Sequence, residues 1–275
     1  MNKTLPRSSE QVTTLAAIAL CGAILLVTLL AYGLDDRMLR GVNIWSKPVK
    51  FALSFGLHLA TLLWLASLLT HEAQQNLSTR LAILAASVAS VIEVFYVALQ
   101  SARGRASHFN FETQFESLMY FGVMGGAAMV IVMATFALGV SVLKNPKPSL
   151  STGLRMGAGW GAIFCAIATL IVAGALASGR FSGVGPWIGS IRTDAGGLPI
   201  VGWSRSVGDL RVPHFFATHL IQLLPLVGWL ADQLASKTRY SLNPGWVVIV
   251  VLMLSLLLVT WLFVQALSGQ PFIGQ

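Results

Sequence analysis

The sequence predicts an all-α, polytopic membrane bundle of about seven transmembrane helices. Three observations predict it. Only 10% of the 275 residues are charged and mean hydropathy is +0.74, against roughly 25% charged residues in globular chains. Apolar runs recur from end to end, several of them reaching the ~20 residues a helix needs to cross a bilayer. The segments between these runs are short, apart from one Gly-rich stretch over 179–212. One transmembrane domain is therefore expected over 1–275, with no soluble domain attached.

The predicted spans are Thr13–Gly33, Val49–Thr70, Leu81–Gln100, Ser117–Leu143, Met156–Ser178, Pro213–Ala235 and Trp246–Leu267. Lys3 and Arg7 precede the first. Its apolar run exceeds the ~7–15 residues of a signal-peptide core, so a retained span is expected. Span two is given Ser46 as its cap, with Pro48 in its first turn. Thr113 and Glu116 form a capping-box pair ahead of span four. Pro213 opens span six and Asn243-Pro244 opens span seven in the same manner. Gly122/Gly126 and Gly157/Gly161 are small-x-x-x-small pairs that let helix backbones approach. Spans one and seven are almost wholly aliphatic and are expected at the lipid-facing periphery. Cys21 and Cys165 fall inside spans and read as small buried side chains.

The net charge of +8 is scattered over short loops that cannot build a basic groove, which excludes nucleic acid as a partner. Loop cations instead set orientation. The loops 71–80, 144–155 and 236–246, with the N-terminus, carry Lys3, Arg7, Arg80, Lys144, Lys147, Arg155, Lys237 and Arg239. The opposite side carries ten cations against these eight, but four of the ten lie in or flank the loop 179–212 and several sit beside polar motifs. The hairpin loops are short, polar and poor in acids, so they are assigned to the cytoplasm. The N-terminus is then cytoplasmic and the C-terminus outside.

Polar side chains are costly inside a bilayer, about 2.5–3.5 kcal/mol for a charge at mid-helix, and here they form stripes. Lys50, Ser54 and His58 share an arc of about 80° on span two; Glu93, Tyr96, Gln100 and Arg103 do so on span three, and His214, Thr218 and Gln222 on span six. By helical rise, His58, Glu93 and His219 lie at a common depth of roughly 9–15 Å from the non-cytoplasmic face. Lys47, Arg103, Arg105, His108, Asn110, Asp209, Arg211 and His214 sit above them. Glu93 is expected to pair with Arg103 or Lys50. The loop 179–212, with eight glycines, two prolines, Trp187 and Trp203, is expected to be a lid whose tryptophans lie at the membrane surface. His71, in a cytoplasmic loop, is expected to be solvated.

These residues point first to a haem- or metal-binding membrane enzyme or redox protein, with a proton-linked transporter as the alternative. His58 and His219 could ligate a haem b iron axially, with Lys47, Arg103 and Arg105 on the propionates. His58, His214 and His219 with Glu93 could hold Zn²⁺ with an open water position. Glu93 and the histidines could instead relay protons in a small-solute transporter. A non-catalytic assembly or sensor subunit is the remaining class. Glu93, His108, Asp209 and Arg211 form the candidate catalytic set, and the bilayer and a small-molecule or lipid substrate are the expected partners.

The segments ARGRASHFN (102–110), GDLRVPHFFATHLIQLLP (208–225) and WSKPVKF (45–51) resemble those of a family of uncharacterised bacterial multi-span inner-membrane proteins. That resemblance implies a polytopic protein of the bacterial inner membrane and assigns no site residues. Ser54-x-x-x-His58 also resembles the first element of seven-span zinc hydrolases of the ceramidase and adiponectin-receptor type. The late His-x-x-x-His of those hydrolases has no match, because His214 and His219 are five apart and lie in the sixth span.

Overall fold

A computed structural model of the protein describes residues 9–181, 183, 185–237 and 242–274. Among them are α1 (Ser9–Leu34), a two-stranded ribbon of β1 (Met38–Leu39) and β2 (Val42–Asn43), α2 (Ser46–Ser67), the short α3 (His71–Gln75) and α4 (Leu77–Ala102). Then come α5 (Gln114–Leu118), a π-helical turn at Met119–Met124, α6 (Gly125–Lys144) and α7 (Thr152–Ser178). A second ribbon pairs β3 (Trp187–Ile188) with β4 (Gly208–Asp209), and α8 (Arg211–Thr218), α9 (Leu220–Lys237) and α10 (Pro244–Leu267) follow.

Six of these segments are long and apolar enough to cross a membrane, Gln114–Lys144 counting as one. The bent pair α8–α9 makes a seventh if it is one span. The chain is an all-α multi-pass bundle, as its hydropathy predicts. α1 and α10 are the least buried of the six, in keeping with their aliphatic character.

The 42° bend between α8 and α9 lies at His219, whose carbonyl takes the Gln222 amide in a tightened turn, with a proline further on. Pro225 inside α9 lacks the N–H that would bond Ile221, and its ring crowds that carbonyl. The Thr218 carbonyl at the break instead accepts the Cys165 thiol at 3.2 Å. A cysteine read as simple filling thus caps a broken helix.

Lipid tails are as apolar as leucine, so helix association in a bilayer rests on close packing. α2, α4, α6, α7 and the broken pair share one core through Leu62, Leu65, Ile83, Leu138, Ala162 and Ile221. α7 and α9 come closest. A Cβ on Gly157 would overlap the Leu224 carbonyl, and one on Gly228 would overlap that of Gly153. The Gly157/Gly161 pair does bring backbones together, whereas Gly122 and Gly126 meet no neighbouring helix backbone within 4 Å and instead line a groove between α4 and α6. Gly228→Ala is expected to destabilise the bundle by about 1–3 kcal/mol through overpacking. The check is its thermal midpoint in detergent, with Gly126→Ala as the silent control.

Local signals mostly hold. Thr113 Oγ1 accepts the Glu116 amide, and Asn243 Oδ1 accepts those of Gly245 and Trp246. Ser46 does not cap α2. The cap is Trp45, whose amide binds Asn43 Oδ1 and whose indole donates to Asp35 Oδ2 at 2.7 Å. His71 is exposed at the start of α3.

Candidate functional site: a polar cluster under a built cap

The long loop is structured from within. Arg211 opens α8 and donates to both Asp209 oxygens, to Asp194 Oδ1 at 2.7 Å and to the Gly202 carbonyl at 2.9 Å. Asp209 also accepts the amides of Ser204 and Arg211. Trp187 packs against both the Arg40 and Arg211 guanidinium groups, at 5.5 and 5.6 Å. Trp203 packs among Phe215, Phe216 and Phe272. Both tryptophans are buried, so the expectation that they lie at the membrane surface is corrected. They form the cap's own core, held against three aromatic rings and two cations.

The cap is tied to the bundle at separate places. Lys50 Nζ donates to the Val201 carbonyl at 3.1 Å. The Arg40 carbonyl accepts from Thr193 Oγ1 and from the Asp194 amide. Gly208 donates to the Gly269 carbonyl beyond α10.

Beneath the cap lies a cluster of titratable groups drawn from α2, α4, the loop 103–113 and the broken pair. Lys47 is the hub. It interacts electrostatically with Glu93 below it, with Arg40 of the β1–β2 turn and with Arg211 and Asp194 of the cap, and its Nζ lies over the Phe51 ring at 5.3 Å. Glu93 is 3% exposed, and among the described residues it makes no ion pair within 4.0 Å. His108 sits edge-on to Phe51 and Tyr120 and feels Lys47, Arg40 and His214. His214 in turn feels His219, and His219 acts on His58. The Nδ1 atom of His214 is buried with no hydrogen-bond partner among the described residues.

No family model, curated protein or solved structure matches the chain. The reading of the cluster therefore rests on its own geometry.

Two imidazoles are already engaged. His58 Nε2 shares a hydrogen bond with Thr135 Oγ1 at 3.1 Å, and His219 Nδ1 shares one with Gln222 Oε1 at 3.2 Å. Among the described residues, no three His, Cys, Asp or Glu side chains form a group that could hold a metal ion. The zinc set of His58, His214, His219 and Glu93 is not assembled.

Several other expected contacts differ. Arg103 is exposed and donates to Gln100 Oε1 at 2.8 Å, so it does not pair with Glu93. Lys50 reaches the cap instead. Arg105 binds Glu112 and the buried Glu116, which also accepts from Gln100 and Thr113. The upper end of the α4 stripe therefore serves this second network, apart from Glu93. Ser54 is exposed. Arg40 and Asp194 were not singled out by sequence, and Glu116 was read only as half of a capping box. The one local signal was the turn at Arg40-Gly41, where Arg40 takes a left-handed φ of 54°.

Phe109, next to His108, also has a positive φ, 53°. A non-glycine residue held there costs about 1–3 kcal/mol, and such strain gathers at functional sites. The π-helical turn carries Tyr120, whose ring meets those of His108, Phe109 and Phe111. π-Turns are likewise frequent at such sites.

Burial, reinforced by Lys47, Arg40 and His214, holds the His108 pKa well below the ordinary imidazole value. The unfolded chain titrates near 6.5. Above that pH both states are neutral and no penalty arises. Below it the unfolded state takes up a proton that the folded state refuses, so stability falls by up to about 1.4 kcal/mol per pH unit. Thermal midpoints measured from pH 7.5 to 5.0 should decline below about 6.5, and His108→Gln should flatten the decline.

Proposed function

We propose that the protein is a proton-linked membrane carrier of a small solute, with Glu93 as its proton-binding group, Lys47 and the four histidines as its relay, and the cap as its gate. One observation carries this reading: Glu93 is buried inside a span within the field of Lys47 and has no ion-pair partner among the described residues. A carboxyl so placed can gain or lose a proton without breaking a fixed ion pair. Its charge is then felt by Lys47 and passed to the ions that hold the cap. Intramembrane carboxylates and histidines are the usual parts of proton relays.

Two measurements test it. Proteoliposomes loaded with a pH-sensitive dye should show proton flux that depends on the protein. An absorption spectrum of the same preparation should lack a Soret band. A Soret band that shifts on reduction would replace the carrier with a haem protein, ligated by His58 and His219 after they release Thr135 and Gln222.

We further place the protein in the bacterial inner membrane, with its N-terminus and the loops 71–80, 144–155 and 236–246 in the cytoplasm. Their lysines and arginines support this, though Lys3, Arg7 and Arg239 lie outside the described residues. Reporter fusions at Lys147 and Ile273 should report opposite sides, Lys147 cytoplasmic. The reverse result would invert the gate.

A further inference from the structure

A groove of about 550 Å³ runs between α2 and α9, with Leu154 of α7 in its lining. Trp64 lines the α2 wall; Leu226 and Trp229 line the α9 wall, and all three are exposed on the apolar surface of the bundle. The groove therefore opens sideways toward lipid and meets the capped cluster only through the Gln222–His219 hydrogen bond. Its volume falls within the ~300–1,000 Å³ of small-molecule sites.

The groove also holds a polar pair. Gln222 Nε2 donates to Thr61 Oγ1 at 3.1 Å, and the Thr61 hydroxyl donates in turn to the Leu57 carbonyl. Gln222 Oε1 is occupied by His219. An amide nitrogen carries two N–H donors, and the second makes no hydrogen bond among the described residues. In hydrocarbon an unmatched donor of this kind asks for an acceptor. An acyl chain filling the groove would leave it unsatisfied; a carbonyl oxygen would satisfy it. Indole walls on both sides favour a flat ring over a flexible chain.

We infer that the α2–α9 groove binds a lipid-soluble ring compound bearing a carbonyl oxygen, of the quinone class, which reaches it through the bilayer and accepts a hydrogen bond from Gln222. Thr61 and His219 position the amide, one at each end. The alkyl tail leaves by the lipid-facing opening beside the exposed Trp64 and Leu226.

The test uses the whole protein in lipid nanodiscs, titrated with decylubiquinone while tryptophan fluorescence is followed. Saturable quenching is expected. Its amplitude should fall in Trp64→Phe and Trp229→Phe, and its apparent affinity should weaken about tenfold or more in Gln222→Leu. Leu226→Trp fills the groove from an exposed position without touching a hydrogen bond, and it should abolish the saturable component even if Gln222→Leu folds poorly. Quenching that rises linearly and equally in wild type and Leu226→Trp is partition into lipid, and it would overturn the site. Competition by decyl alcohol as strong as by the quinone would show an acyl-chain groove, and it too would overturn the proposal. Either outcome leaves the proton-flux measurement unaffected, because binding here does not depend on Glu93.

Discussion

Glu93→Gln is expected to leave the bundle folded and inserted while reducing proton flux by about a hundredfold or more, the scale on which positioned acid–base groups act. Gln keeps the size of the side chain but can neither hold the exchangeable proton nor carry charge. The stability outcome separates this from a structural role. Where a carboxylate is one half of a contacting buried pair, removing it strands the cation and costs about 3–5 kcal/mol. Glu93 and Lys47 interact electrostatically but are not in ion-pair contact. The thermal midpoint should therefore move by the equivalent of about 1 kcal/mol or less, within the range of ordinary substitutions. A variant that loses several kcal/mol yet retains flux would assign Glu93 to the fold. Full flux at unchanged stability would remove it from the mechanism.

The spans were legible because each is a long apolar run, and hydropathy reads the one constraint a bilayer imposes on every residue alike. Glu93 was legible for the complementary reason, as a charge where apolar residues are the rule. Its partner was not. Helical phase placed Arg103 on its face, but Arg103 lies at the end of α4, where water and Gln100 compete for it. The closest cation in effect, Lys47, comes from the first turn of α2, and phase along one helix says nothing about a neighbour. The same limit hid Asp194, seventeen residues before Arg211 in an irregular loop. The tryptophans of that loop were read by their bulk preference for membrane interfaces. The ribbon of β3 and β4, two residues long on each side, leaves no periodic trace, yet it carries the buried Trp187. The helix break at His219 escaped for a subtler reason. Pro225 announces a bend, but the break lies six residues earlier, where the Gln222 amide bonds the His219 carbonyl instead of that of Thr218.

Arg211→Met is expected to release the cap from the bundle. Arg211 supplies hydrogen bonds to Asp209, Asp194 and the Gly202 carbonyl, and its guanidinium faces Trp187. A cation in the first turn of a helix is unfavourably placed against the helix dipole. Asp209, just ahead of α8 and accepting its first amide, offsets that penalty. Removing the arginine leaves Asp209, 1% exposed, as a buried carboxylate whose cation is gone. Such a loss costs about 3–5 kcal/mol, more than a loop lacking regular structure of its own can absorb. The loss should be local, because the spans pack on one another without Arg211. Limited proteolysis should then cut within 185–207 many times faster than in wild type, with helical content unchanged. Asp194→Asn alone should have a small effect, because that acid is partly solvated. Adding it to Arg211→Met should cost little more, since residues in contact couple instead of adding. If the cap is the gate, Arg211→Met should also make proton flux insensitive to whichever solute normally opens it, while Glu93 remains able to exchange. Unchanged protease resistance in Arg211→Met would mean that the tryptophan core and the Lys50 tether hold the cap without its ion lock, and the route from Glu93 through Lys47 to the cap would lose its last step.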